Sequence, residues 1–402
     1  MTTLKLFKVY LLCYFLFPIV TLYFALLTGI RIPLGIEIVP LIFLLLFRMR
    51  FTKLVAYDLL FLILIINSVV FIILNIGDYS WLGNIEMRAF VFIGLNYYIF
   101  RSLLNPDWSD DIAEFIINIM KFSIYLAVIE FFVINTGEIA NVIEDRYLAV
   151  FKGSERLYEY ILFAAKPIGI YPGTHNLGVA AVISILYLVT TKSIHKNKGY
   201  FIASMVVFFV GFSLTVTLAL LIVYSISMVA SQGMTRRLVK RSLYASVLAA
   251  TAGLIFKFGG VLSQLKSTGE ISASYVESES NVYITSISNS FDSLLQFPFG
   301  TPLNQIDLYE NEVYISRLII YFGWPIILFL GLAFVTLVAK FRLQSDSGVF
   351  FTLSYLTLFI SSFHYGSINY YPLTILVPLT FVFIHYSKNQ PRTRPSFSNR
   401  NR

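Results

Sequence analysis

Long apolar runs separated by short polar segments dominate this chain. A helix that crosses a bilayer core of about 30 Å needs roughly 20 apolar residues, and by this measure there are about twelve such runs. They are centred on 9–28, 32–47, 54–76, 86–104, 112–134, 176–191, 199–213, 215–230, 242–258, 313–338, 349–366 and 368–386. The pattern predicts an all-α polytopic membrane protein.

Two of these runs allow a second interpretation. Within 200–230, Gly211 and the pair Thr215 and Thr217 favour a tight turn between two short helices, with one tilted helix as the alternative. The first run resembles a signal peptide, but it exceeds the usual apolar length and lacks a small-x-small cleavage site. We therefore expect a retained first helix.

Composition and charge agree with a membrane protein. Of 402 residues, 57% are hydrophobic and only 13% are charged, which is too apolar for a soluble domain of this size. The net charge of +8 comes from Lys and Arg in alternate short loops and in the tail. Since cytoplasmic loops are rich in these residues, both termini are predicted to be cytoplasmic, and nucleic-acid binding is not expected.

This topology predicts two large loops on the outer side of the membrane. Helices 1–5 occupy 1–134, the first loop 135–174, helices 6–9 occupy 175–258, the second loop 259–312, helices 10–12 occupy 313–386, and a disordered basic cytoplasmic tail 387–402. Loops of this length are uncommon unless they have a function. The active groups are therefore expected on the outer side.

The second loop has the most site-like sequence. A helical pattern from Tyr283 to Leu295 runs into a turn marked by Pro298, Gly300 and Pro302. Glu310 and Glu312 follow, and Arg317 lies one turn inside the next predicted helix. A guanidinium there could hold a lipid-linked phosphate through two hydrogen bonds.

Other ionisable residues fall near the outer helix ends. Intramembrane charge costs about 2.5–3.5 kcal/mol on insertion scales, so such groups are paired, functional or snorkelling to the interface. For each single residue, a structural ion pair is the alternative to a function. The set is Glu37, Arg88, Glu130, Lys257, Arg317 and His364.

The first loop ends in the sequence AAKPIGIYPGTHNLG, just before a helix predicted to begin at His175 or Asn176. Amides at a helix N-terminus favour anions, and Lys166 adds positive charge, so a phosphate-binding corner is predicted. Arg146 and Arg156 add more charge upstream. The alternative for that region is an amphipathic interfacial segment over 158–165.

No metal or disulfide chemistry is indicated. Cys13 is the single cysteine, and the four histidines show no ligand spacing. We expect no cofactor and no metal site.

The pattern resembles the O-antigen and capsule repeat-unit polymerases (Wzy-type), in the same superfamily as the O-antigen ligases. The resemblance covers most of the chain from Lys166 onward. It rests on short motifs: Lys166, Gly169 and Asn176; Ser213, Thr215 and Thr217; Pro298, Phe299 and Gly300; Glu310 and Asn311; Phe322 and Gly323.

This chain departs from the family at three points. The family often has Arg where this chain has Lys166, and the second glycine of its Pro-x-Gly-x-Gly turn is absent. The ligases commonly carry a His-Asn pair where this chain has Glu310 and Asn311. The last difference favours a polymerase.

The resemblance implies a GT-C-like, metal-independent glycosyltransferase of the bacterial inner (cytoplasmic) membrane. It would join undecaprenyl-pyrophosphate-linked glycan repeats, donor to acceptor, on the outer face, with a chain-length regulator protein as a further partner. Glu310 is expected as the base, with Glu312 and His175 next. The pyrophosphate contacts are expected from Lys166, Arg317, Arg156, Arg146 and His364.

Two alternatives remain open at this point. One is an O-antigen ligase or another lipid-linked glycosyltransferase. The other, of a different class, is a flippase for the same lipid-linked oligosaccharide, because about twelve spans with cytoplasmic termini also suit a transporter. Internal sequence repeats and charged residues in the middle of the spans would favour the transporter, and neither is evident.

Overall fold

The computed structural model describes residues 3–28, 56–75, 85–134, 169–171, 174–210, 214–231, 273–302, 313–340, 345–363 and 372–386. All regular elements in these ranges are helices, which confirms the predicted all-α class for this part of the chain. The α-helices are α1 (Thr3–Thr28), α2 (Ala56–Leu74), α3 (Ile85–Leu103), α4 (Ser109–Ile134), α5 (Thr174–Thr190), α6 (Lys198–Val210), α7 (Leu214–Ser231), α8 (Ala273–Gln296), α9 (Tyr314–Phe322), α10 (Trp324–Lys340), α11 (Asp346–Ser361) and α12 (Leu376–Tyr386).

These helices follow most of the predicted spans, with one correction. The span predicted over 313–338 is divided, because α9 ends at Phe322 and α10 begins at Trp324 after Gly323. The run 200–230 holds two helices, α6 and α7, as the turn signals predicted. The predicted spans 32–47 and 242–258 and the tail lie outside the described residues.

Two helical segments are long and apolar enough to cross a membrane. They are Tyr57–Leu74 in α2 and Ser109–Phe132 in α4. Further apolar helices in the described ranges have 10–17 residues. The sides of α2, α4 and α10 that point away from the bundle carry exposed apolar side chains at helical spacing. These are Leu59, Leu62, Ile66, Val69 and Ile73 on α2, Phe122, Tyr125, Ile129 and Phe132 on α4, and Trp324, Leu328, Leu332 and Val335 on α10.

Helix α11 lies at the centre of the bundle and packs against α4, α5, α7, α10 and α12. Three of its buried hydroxyl groups each donate to a carbonyl of the preceding turn: Ser354 at 2.8 Å, Thr357 at 2.7 Å and Ser361 at 2.7 Å. Because these three hydroxyl groups are satisfied within the helix, they can be buried among the neighbouring helices.

Contacts between helix termini define two ends of the bundle. At the first, which we call the ion-pair end, Asp58 of α2 pairs with Arg101 of α3, and Lys8 of α1 lies 3.4 Å from Asp111 of α4. Helices α2 and α4 run from this end to the opposite one. We call the opposite end the turn end, because the Gly169 and Gly300 turns described below lie there.

The Asp58–Arg101 pair is buried, with only 2% and 7% of the two residues exposed. The Tyr97 hydroxyl donates to the Asp58 carboxylate at 3.0 Å, and the Tyr98 hydroxyl donates to the Asp58 carbonyl at 2.7 Å. Charges removed from water are tolerated only with such partners. The network therefore fixes α2 against α3.

We predict that Arg101→Met destabilises the protein by about 3–5 kcal/mol, because it leaves the Asp58 carboxylate buried without its cation. Thermal unfolding of the detergent-solubilised protein measures the loss. The double variant Asp58→Asn, Arg101→Met should melt nearer to the wild type than Arg101→Met alone.

The control is the exposed pair at the same end. Lys8→Met should cost about 0–1 kcal/mol, since exposed ion pairs contribute little. Equal melting temperatures of Arg101→Met and Lys8→Met would show that the buried network does not hold α2 to α3.

Candidate functional site

Two turns that contain motif glycines form the candidate site at the turn end. The first follows α8, where Gly300 has φ 112°. The turn packs against the junction of α9 and α10, where Gly323 has φ 63°. The Trp324 amide donates to the Pro298 carbonyl at 2.9 Å, and the Thr301 amide donates to the Ile320 carbonyl at 2.8 Å. We call this contact the glycine corner.

Only glycine fits at both positions of the corner. A Cβ atom at Gly300 would lie 2.1 Å from the Tyr321 carbonyl oxygen, and one at Gly323 would lie 2.2 Å from the Pro298 carbonyl oxygen. Both backbones also have positive φ, which side chains with a Cβ rarely adopt. The corner thus brings together two of the motif pairs on which the sequence resemblance rests, Pro298 to Gly300 and Phe322 to Gly323.

Helices α2 and α3 hold the corner from the other side. The Asn67 side-chain amide donates to the Phe322 carbonyl at 3.1 Å. The Phe322 ring lies 5.2 Å from the Phe90 ring and 5.6 Å from the Phe71 ring, measured between centroids. The sequence interpretation missed Asn67, although a polar residue inside the apolar run of α2 was an available signal.

Arg317 lies in the first turn of α9, as predicted, and its amide donates to the Val313 carbonyl at 3.2 Å. The residue is partly buried. It precedes Phe322 by five residues, which is about 7.5 Å along a helix axis. The glycine corner therefore determines where the Arg317 backbone stands at the turn end.

The second turn contains Gly169, which has φ 60°. Its amide donates to the Glu130 carboxylate of α4 at 2.8 Å, and the Ile170 amide donates to the Ser123 hydroxyl at 3.3 Å. A Cβ atom at Gly169 would lie 2.7 Å from that hydroxyl oxygen and 3.0 Å from the Ser123 carbonyl oxygen. Glu130, predicted as a charged residue at an outer helix end, thus holds this turn against α4.

Helix α5 begins just after this turn and carries His175, which is partly buried, and Asn176, which is 4% exposed. The Asn176 side-chain oxygen has no hydrogen-bond partner among the described residues. The helix N-terminus and this amide are polar groups that could meet an anion.

Tyr171 is a further polar group beside the start of α5. Burial raises the pKa of its hydroxyl well above the ordinary value, nearby Tyr200 raises it further, and the Ser123 hydroxyl opposes the shift. The phenol therefore stays protonated at neutral pH.

His175 and Arg317 are the predicted site residues that the structure describes, and they lie in the first turns of α5 and α9. Arg88, predicted at an outer helix end, lies in the first turn of α3. The other predicted residues lie outside the described ranges: Lys166, Arg146, Arg156, Glu310, Glu312, His364, Glu37 and Lys257.

Comparison of the chain with protein-family models, curated proteins and solved structures gives no match. Among the described residues, no group of three or more His, Cys, Asp or Glu side chains could hold a metal ion. The function of this chain is therefore inferred from its own residues and geometry.

We predict that Gly300→Ala and Gly323→Ala each open the glycine corner, because the added carbon meets a carbonyl oxygen. The positive φ alone costs about 1–3 kcal/mol, and the clash adds to it. Thermal unfolding and protease cleavage near Pro298 measure the effect. Gly331 in α10 is the matched control, since a Cβ there meets nothing within 4 Å.

Gly331→Ala should be neutral or stabilising by about 0.5–1 kcal/mol, as for glycine inside a helix. If Gly300→Ala and Gly331→Ala behave alike, the close backbone contact is refuted.

We predict that Glu130→Leu loosens the Gly169 turn, because it removes the acceptor of the Gly169 amide, at a cost of about 1–3 kcal/mol. Hydrogen exchange of a peptide containing Gly169 should become faster. Glu130→Gln keeps an acceptor oxygen. In this variant the peptide containing Gly169 should exchange more slowly than in Glu130→Leu.

Glu114 offers a control on the same helix, because it is exposed and lies near the ion-pair end. Glu114→Leu should leave exchange at Gly169 unchanged. If the exchange rate at Gly169 in Glu130→Leu equals that of the wild type, the assigned hydrogen bond is contradicted.

Proposed function

We propose that this protein is a multi-pass glycosyltransferase of the bacterial inner membrane that polymerises lipid-linked glycan repeats on its outer face. The observation that carries the proposal is the glycine corner. It joins the Pro298 to Gly300 turn to Phe322 and Gly323, two separate motifs of the resemblance, at the end of the helix that carries Arg317.

The exposed apolar faces of α2, α4 and α10 support a membrane location. Soluble proteins rarely expose apolar patches of this size, whereas lipid requires them. We take these faces as lipid contacts of a bundle with about twelve spans.

The distribution of cations supports the orientation. Lys8, together with Lys192, Lys196 and Lys198 between α5 and α6, belongs to the ion-pair end. Since cytoplasmic segments are enriched in Lys and Arg, the ion-pair end faces the cytoplasm. The turn end, with both turns and Arg317, then faces outward.

The proposed reaction transfers a growing glycan from a polyprenyl pyrophosphate to a second lipid-linked repeat. A hydroxyl oxygen of the acceptor sugar attacks the anomeric carbon of the donor and forms the new glycosidic bond. The bond from that carbon to the pyrophosphate oxygen breaks, and the pyrophosphate leaves with the electron pair. A base takes the proton of the acceptor hydroxyl.

Each role has a proposed residue. Arg317 and Lys166 stabilise the negative charge that grows on the leaving pyrophosphate, with Arg146, Arg156 and His364 as further contacts. Glu310 is the proposed base, and Glu312 and His175 are the next candidates. Glu310 and Glu312 directly precede α9, the helix of Arg317, in the sequence.

The proposal predicts that Arg317→Ala reduces polymerisation by about 10²–10³-fold, as for loss of one group that stabilises developing charge. Glu310→Gln should also abolish long chains. Arg317→Lys should retain part of the activity, because the charge stays but the two-pronged hydrogen bonding is lost. The measurement is the length distribution of surface polysaccharide on a gel, with membrane insertion verified.

Lys196→Ala is the matched control, since it removes an exposed cation at the ion-pair end. It should leave the ladder unchanged. A collapse of the ladder to single repeats in Arg317→Ala and Glu310→Gln supports a polymerase. Normal ladders in both would refute the site, and complete loss of glycan from the final acceptor would favour a ligase or a flippase instead.

A further inference from the structure

Over residues 285–296, where its side chains are described, helix α8 presents three distinct faces. One face is buried against α9 and carries small or apolar residues, Ser286, Ser290 and Leu294. A second face is exposed and polar, with Thr285, Ser288, Asp292 and Gln296. The third face is exposed but apolar. It carries Ile287, Phe291 and Leu295, which are 46%, 59% and 80% exposed, and Phe299 extends it at 61%. We call these four residues the α8 stripe.

The α8 stripe continues into the exposed apolar face of α10. The hydrogen bond from the Trp324 amide to the Pro298 carbonyl places Trp324 beside Phe299. Trp324 is 48% exposed, and Leu328 and Leu332 follow one and two turns below it. Tryptophan is enriched where membrane proteins meet the lipid headgroups. The exposed apolar face of α10, which we assign to lipid, is therefore continuous with the α8 stripe across the glycine corner.

The charge of α8 indicates how it would meet a bilayer. The helix contains no Lys or Arg, and its acidic residues are Glu277, Glu279 and Asp292. Attraction to anionic headgroups is thus not available, and the apolar area of the stripe must supply the affinity.

We propose that α8 lies in the outer lipid–water interface, with the α8 stripe inserted at the boundary of headgroups and acyl chains. The partner is the phospholipid bilayer itself, and zwitterionic lipid is sufficient. The proposal rests on the membrane location given under the proposed function. Because α8 packs against α9, this placement keeps Arg317 at headgroup depth, where the pyrophosphate of a lipid-linked substrate lies.

Spin labelling of the full-length protein tests the placement. In a Cys13→Ser background, single variants Ile287→Cys, Phe291→Cys and Leu295→Cys carry a nitroxide on the stripe. Thr285→Cys and Asp292→Cys carry it on the polar face of the same helix. All five positions are exposed, so the label does not disturb the packing.

The protein is placed in phosphatidylcholine vesicles, and relaxation by oxygen, which enters lipid, is compared with relaxation by a water-soluble nickel chelate. Oxygen should dominate at the three stripe positions, and the nickel complex should dominate at 285 and 292. High salt should leave this order unchanged, since no ion pairing is involved.

A label at Leu332→Cys separates this inference from the membrane location. If oxygen dominates at 332 while the nickel complex dominates on the stripe, the interfacial placement is overturned and the membrane location stands. Exclusion of both reagents from the stripe overturns it as well, because a protein surface then covers α8. Nickel dominance at 332 itself would overturn the membrane location together with this inference.

Discussion

The backbone contact between Gly300 and Gly323 is the constraint on which the turn end depends. It closes the segment between α8 and α10 with two main-chain hydrogen bonds, and it leaves no room for a Cβ atom on either side. Helix α9 is thereby fixed at its last residue, and Asn67 secures the same point to α2. The backbone position of Arg317 follows from this contact.

The second turn, at Gly169, is also held by a close contact of a glycine backbone, but with different groups. At Gly169 a carboxylate from α4, rather than a carbonyl, receives the amide of a glycine with positive φ. Both turns are thus pressed against helices of the bundle. The Gly169 turn precedes the helix of His175, and the Gly300 turn contacts the end of the helix of Arg317. Short turns held in this way give a site a stable frame even where the chain between them is long.

Local signals in the sequence predicted the helix over 283–295, the break between α6 and α7, and the helix starts near Arg317 and His175. Proline, glycine and apolar spacing carry these signals within a few residues. The division at Gly323 was not predicted, because apolar residues continue on both sides of it. The glycine corner and the Asp58–Arg101 pair join residues far apart in the chain, and neither leaves a pattern in a single sequence.

The Asp58–Arg101 pair also bears on how the chain is assembled. In a bilayer, α2 alone would carry an unpaired carboxylate and α3 alone an unpaired guanidinium, each at a cost that the other helix removes. The hydroxyl groups of Tyr97 and Tyr98 reach Asp58 from α3 as well. At the proposed membrane location, α2 and α3 would therefore reach their final depth together.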